Sequence, residues 1–204
     1  MVIIGFDRVG AETLVDKYQD KLQALLEVDL LRMKILRAVS TVDLPDCWVA
    51  AGFVRNLVWD HLYNKTTSLN DVDVIYYCQA DTKGQLATYA TRQLQETLPK
   101  VNWQVKNQAL MHLKRHGSQY ASSADAMTFW PEQETAIGVS LDKMGCFSFM
   151  APFGLSSLFK GQLTFNPKGD EHAFWLRVEQ KGWLTIWPQL VIENTVQGKQ
   201  GTQA

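Results

Sequence analysis

The chain has 204 residues, 46% of them hydrophobic and 20% charged, enough to bury a sizeable core and too apolar for extended disorder. Twenty Lys and Arg stand against twenty-one Asp and Glu, a net charge of −1, so no global field draws the chain to nucleic acid or to an anionic membrane. Any anion binding must be local.

Cys47, Cys78 and Cys146 are widely spaced, form no CxxC pair and lie in apolar contexts, which fits buried thiols in a reducing cytoplasm. The start "MVIIGFDRVG" has no basic region ahead of its apolar run, and no stretch approaches the length of a membrane helix. The expectation is a soluble, cytoplasmic, unprocessed protein without a membrane partner.

From Ala11 to about Ser40, apolar residues recur at helical spacing, as one long helix or two that meet between Glu27 and Asp29. The run "DCWVAA" (46–51) reads as a short strand ending at Gly52, and "FVRNLVWDHLY" after it has helical periodicity through Val54, Leu57, Val58 and Leu62. "DVDVIYYC" (71–78) alternates before turning wholly apolar, as a half-buried strand does on entering a core. A helix is expected from Thr82 to just before Pro99, then a strand over 102–108 and a short helix over 109–116. Ser122 or Ser123 caps "ADAMTFW", and the segments 134–142 and 146–152 read as paired strands around a turn at Lys143 to Gly145. "GLSSLFKG", "LTFNP", the helix "EHAFWLRVEQKG" and the apolar "WLTIWPQLVI" complete the ordered part. The predicted fold class is mixed α+β in a single domain over 1–196, with a core at about 40–110, a C-terminal α+β elaboration over 111–196 and a mobile tail over 197–204.

Residues two apart on a strand face the same side, so Asp71 and Asp73 project together, their Cα atoms roughly 7 Å apart. Two like charges at that range repel unless a cation or a cluster of donors lies between them. Divalent ions resolve the repulsion, because hard oxygen ligands suit Mg2+ and Mg2+ bridges phosphate oxygens. Taken alone, an acid-x-acid strand is also compatible with a polar surface. Upstream, however, the glycine turn opens a helix whose free N–H groups form an anion site, with Gly52 allowing close approach and Arg55 adding a charged fork. A phosphate cradle and a carboxylate pair thus fall on consecutive strands.

The pattern "AGFVRN" followed by "DVDV" resembles the nucleotidyltransferase superfamily of DNA polymerase β, and "GFVRNLVWD" resembles the G-x-V-R-D helix of CCA-adding enzyme head domains. The wider run "AAGFVRNLVWDHL", "DVDVIYY", "VKNQALMH", "ADAMTFWPEQETAIGVSLD" and "APFGLSSLF" resembles a bacterial family of small nucleotidyltransferase-like proteins, over about residues 15 to 190. The resemblance implies the polymerase β-like fold, a short mixed sheet flanked by helices. It implies that Ala51, Gly52, Phe53 and Asn56 form the phosphate-binding turn and that Arg55 contacts the triphosphate. Asp71 and Asp73 would be the catalytic pair, ligating two Mg2+ ions, with Mn2+ as a substitute. An NTP is then the donor substrate, its nucleoside monophosphate passing to an acceptor with release of pyrophosphate.

Departures from the pattern are specific. Ala51 replaces the first glycine of the usual doublet, and Asn56 replaces the closing aspartate of G-x-V-R-D, which turns a salt bridge into a neutral hydrogen bond. The third carboxylate that many relatives place on the next strand is absent from "NWQVKNQ", where Gln104, Lys106 and Gln108 share one face. Lys106 is read as a phosphate or substrate contact, and Asp125 and Glu134 are the candidates for a distant third acid. Lys65, in the loop before the acids, is either a substrate contact or a solvated lysine. Trp183 and Trp187 are core anchors or the lining of an acceptor groove. His112 and His116, four apart, have no third metal ligand beside them. With about ninety residues after the head, a small-molecule or protein acceptor is favoured over tRNA. Two other readings stay open: a nucleotide-binding or interaction protein that kept the fold without the chemistry, and a nucleic-acid module built on the basic stretch around Lys114.

Overall fold

The computed structural model describes residues 9–114 and 118–193. The tail beyond residue 196 and the Arg115 and His116 part of the basic stretch lie outside the described residues. Of the two arrangements that the periodicity allows, the chain takes the pair of helices, α1 (Val9–Val28) and α2 (Leu30–Val39). The break is chemical: the Asp29 carboxylate accepts the Arg32 backbone N–H at 2.9 Å and caps the second helix. Leu22 and Leu26 of α1 and Ile35 and Leu36 of α2 are buried in the main core.

Strand β1 (Trp48–Ala50), helix α3 (Gly52–Leu62), strand β2 (Val72–Tyr76), helix α4 (Gln85–Thr97) and strand β3 (Trp103–Asn107) follow in the expected order. Helix α4 starts three residues later than Thr82, because the Asp81 carboxylate reaches forward to the Gln85 and Leu86 N–H groups while Gly84 adopts φ +66°. The segment Gln108–Lys114 is a 3-10 helix. Helix α5 (Ser123–Met127) is capped by Ser122, whose hydroxyl accepts the Asp125 N–H. Strands β4 (Gly138–Leu141) and β5 (Phe147–Met150) form the anticipated hairpin. Helix α6 (Ser156–Phe159), strand β6 (Gln162–Thr164), helices α7 (Glu171–Gln180) and α8 (Trp183–Ile186) and strand β7 (Val191–Glu193) complete the chain, β6 and β7 pairing in parallel.

The central sheet has the order β3-β2-β1-β4-β5, with β2 and β3 parallel and the other pairs antiparallel. It draws strands from both sides of residue 110. The period-two alternation divides its faces: Val49, Val72 and Val74 pack into the main core with α1, α2 and α3, while Ala50 and Ile75 belong to a smaller cluster with Met127, Ala136 and Met150. Asp71 and Asp73 share the side of Ile75 and line a cavity there. The class is α+β, a mixed sheet flanked by helices. Among the described residues no helix is long and apolar enough to cross a membrane.

Candidate active site

The turn that opens α3 concentrates its backbone demand on one residue. Ala51 adopts φ +59°, ψ −126°, a conformation that favours glycine, and is fixed there from both sides. Its N–H donates to the Ile137 carbonyl at 3.0 Å, and its carbonyl accepts the N–H groups of Val54 and Arg55 at 3.2 and 3.0 Å. Gly52 needs no unusual dihedral. A Cβ on it would meet Arg55 Nη2 at 3.5 Å and the Asn56 amide at 3.7 Å, narrowing the cavity mouth that this glycine lines. The Gly52 and Phe53 amides have no acceptor within the helix and carry the positive end of its dipole.

Strand register then sets the acids beside this turn. Asp73 pairs across β1 with Ala50 and across β3 with Gln104, and Asp71 immediately precedes β2. Both are half-buried and line a cavity of about 730 Å³ together with Gly52, Arg55, Asn56 and Lys106. Lys106 Nζ donates to Asp73 Oδ1 at 2.8 Å.

Arg55 forms the cavity floor at 5% exposure. Its guanidinium lies against two indoles that meet edge to face, 5.1 Å from the Trp59 ring centroid and 4.4 Å from that of Trp183. Nη1 donates to Thr135 Oγ1 at 2.6 Å, while Nε and Nη2 donate to Asn56 Oδ1 at 3.2 and 2.8 Å. The neutral hydrogen bond expected of Asn56 is therefore present. Among the described residues no carboxylate forms an ion pair with Arg55. Burial pushes its pKa down to about 10, against an upward pull from Glu132, Asp73 and Glu134 and with a further downward push from Arg177. A buried cation lacking a direct counterion, with N–H groups left over, suits an anionic ligand.

Other sequence candidates fall elsewhere. The Phe53 side chain is in the main core and its carbonyl accepts from Arg32 Nε at 2.8 Å, so only its backbone adjoins the mouth. Asp125 accepts the Ala121 N–H in the α5 cap, and buried Glu134 accepts the Thr164 N–H and hydroxyl at 2.8 and 2.7 Å. Neither lines the cavity. Among the described residues no group of three or more His, Cys, Asp and Glu is placed to hold a metal. His112 Nδ1 is 2.8 Å from the Ala109 carbonyl oxygen, and Lys65 donates to the Ile186 carbonyl. Trp183 and Trp187 are both core anchors and cavity lining.

The sequence reading missed half of the enclosure. Thr67 to Asn70, Arg177 and Lys181 of the α7 region, and Met111, Tyr120, Phe129 and Trp130 also line the cavity. The four-residue spacing of Arg177 and Lys181 marked one helix face, a weak signal because solvated helices show it as often. Gln108 had been assigned to the Lys106 face, and it lines the cavity with it.

This mixed sheet, with a glycine-led helix and an acid pair at one cavity, is a nucleotidyltransferase fold. An NMR structure described as revealing a CCA-adding enzyme head domain matches with a TM-score of 0.72 at 32% identity, covering 85% of this chain and 96% of that one. A CCA-adding enzyme in complex with CTP matches with a TM-score of 0.48 at 12% identity, over 84% of this chain and 47% of that one. No curated protein matches the chain. A nucleotidyltransferase family profile matches residues 37–192, and the chain belongs to that family.

Proposed function

We propose that the protein transfers a nucleoside monophosphate from an NTP to an acceptor hydroxyl or phosphate, with the cavity bounded by Gly52, Arg55, Asp71 and Asp73 as its active site. The observation that carries the reading is the register of Asp73 against Ala50, which brings this carboxylate to the same cavity as the first turn of α3 and the Arg55 guanidinium, a cation with no carboxylate partner among the described residues. In the reaction the acceptor oxygen forms a bond to the α-phosphorus, the bond to the β-phosphate bridging oxygen breaks, pyrophosphate leaves, and the acceptor proton passes to solvent.

Asp71 and Asp73 supply hard oxygen donors at half-buried positions open to the cavity, which fits Mg2+, an ion that takes one or two carboxylates and completes its shell with phosphate and water. Such an ion, or Mn2+ in its place, supplies charge neutralisation on the triphosphate and lowers the pKa of the attacking hydroxyl. The remaining work belongs to the chain. The Gly52 and Phe53 amides and the helix dipole bind phosphate oxygens, Arg55 adds donors fixed by two indoles, and the Trp183 and Trp187 walls exclude water. A small-molecule or protein acceptor is favoured over tRNA, with Arg177 and Lys181 on the cavity as further cations for it.

Pyrophosphate release from each NTP with Mg2+, over a panel of metabolite and RNA acceptors, tests the reading. Asp73→Asn should abolish release while leaving the thermal midpoint within about 2 °C; unchanged release rejects it. The Lys106 ammonium on Asp73 supports a second reading, in which the protein binds NTP without turnover. That reading predicts saturable NTP binding and no pyrophosphate with any acceptor.

A further inference from the structure

The cavity continues beyond the acids. β2 and β3 run parallel with Asp73 opposite Gln104 and Ile75 opposite Lys106; the Lys106 side chain reaches back to Asp73, and Gln108, just past the end of β3, lines the cavity beyond it. Asn107, the last residue of β3, lies three residues or roughly 10 Å along the strand from Gln104, and Gln108 follows it as the first residue of the 3-10 helix. Beside Gln108 the lining includes Met111 of the same 3-10 helix and the rings of Tyr120 and Phe129, whose centroids are 5.2 Å apart, with His112 edge-on to Tyr120 and Lys168 over Phe129.

Gln108 is 3% exposed, yet its side-chain amide makes no hydrogen bond with any described residue. Its neighbour Asn107, equally buried, is fully engaged, accepting from the Cys78 and Ala109 N–H groups and donating to the Cys78 and Asp81 carbonyls. Among the described residues the fully enclosed side-chain atoms without partners are Trp59 Nε1 and Glu132 Oε2, so the Gln108 amide retains its access through the cavity it lines. The amide is open to solvent in the cavity, so a ligand that covers it must pair with it or leave it unsatisfied at a cost. A side-chain amide offers one donor and one acceptor side by side, the complement of the edge of a nucleobase, while the aromatic wall suits the faces of the base.

The geometry points to this end of the cavity as the nucleobase pocket of the bound triphosphate, with the Gln108 amide as the group that reads the base edge. The inference rests on the nucleotidyltransferase reading of the same cavity and adds the means of choosing among NTPs.

Calorimetric titration with the four NTPs and with inorganic tripolyphosphate, all with Mg2+, tests it. Wild type should bind one NTP about tenfold tighter than the weakest of the four and tighter than tripolyphosphate. Gln108→Leu should compress the four affinities to within about threefold and leave tripolyphosphate binding unchanged. Gln108→Glu should shift the ranking toward GTP, because a carboxylate accepts from both N1–H and N2–H of guanine. Should the leucine variant lose tripolyphosphate as well, the glutamate variant decides by that ranking. A wild-type NTP ranking that survives both substitutions overturns the inference, as does equal binding of tripolyphosphate and all NTPs, which leaves the phosphate site standing. Failure of wild type to bind either class removes both readings.

Discussion

Lys106 Nζ stands 2.8 Å from Asp73 Oδ1, bridging two parallel neighbouring strands at the edge of the cavity. The ammonium offsets part of the repulsion between Asp73 and Asp71, so a cation that binds Asp73 must displace it. Partly exposed ion pairs contribute about 0.2–1 kcal/mol. Lys106→Met should therefore tighten Mn2+ binding to the free protein by up to about fivefold, as read by water proton relaxation. The same variant should weaken tripolyphosphate binding, since one phosphate-facing cation is gone. Weaker Mn2+ binding would show that Lys106 does not compete for the carboxylate.

Ala51 holds a dihedral pair that costs a non-glycine residue about 1–3 kcal/mol, while glycine adds about 0.4–1 kcal/mol of unfolded-state entropy. Ala51→Gly should raise stability by about 1 kcal/mol, a gain of about 2–4 °C in thermal midpoint. Ala51→Val, with a branched Cβ at positive φ, should lower it. A destabilised glycine variant would mean that the turn relaxes without strain.

Glu134 is buried, and burial raises its pKa above the ordinary carboxylate value, opposed by hydrogen bonds from Thr164 and Ser157. The folded state then holds the proton at a pH where the unfolded chain has released it. Between the two values stability falls as pH rises, and the contribution is fully present only below the unfolded pKa. Glu134→Gln should remove that slope, so its stability relative to wild type should climb from pH 4 upward in urea titrations. A pH-independent difference would locate the ionisation elsewhere.

Arg177 Nε donates to Glu132 Oε1 at 2.6 Å, while Glu132 is fully buried and its Oε2 has no partner. Arg177→Met strands that carboxylate and should cost about 3 kcal/mol. Adding Glu132→Gln should recover more than half of the loss in a double-mutant cycle. Additive losses would show that the pair is not coupled.

Local chemistry made much of the fold legible. The alternation through Val72, Asp73, Val74 and Ile75 gave β2 and its polar face, and the apolar spacing after Gly52 gave α3. Asp71, Asp73, Gly52 and Arg55 converge because one helix and the start of the next strand, with the residue just before it, carry all four. Long-range features left no such trace. Thr135 reaches Arg55 across eighty positions, and Arg177 approaches from a helix that reads as a solvated face. The backbone demand at Ala51 shows in the sequence only as the replaced glycine of the doublet; the Ile137 carbonyl that helps to fix it comes from a distant segment. Asp81 set the start of α4 from outside the helical repeat, so periodicity placed that boundary too early.

Asp60, at the far end of α3, accepts the Thr67 N–H and hydroxyl at 2.8 Å with one oxygen and the Trp187 Nε1–H at 3.0 Å with the other. One carboxylate thus clasps the rim loop of Thr67 to Asn70 to the closing segment of the chain. A fragment cut after β5 would keep both acids and the glycine-led helix yet surrender the fastening between their two flanks. The smallest piece that retains the full enclosure must run at least to Trp187, well past the last strand of the central sheet.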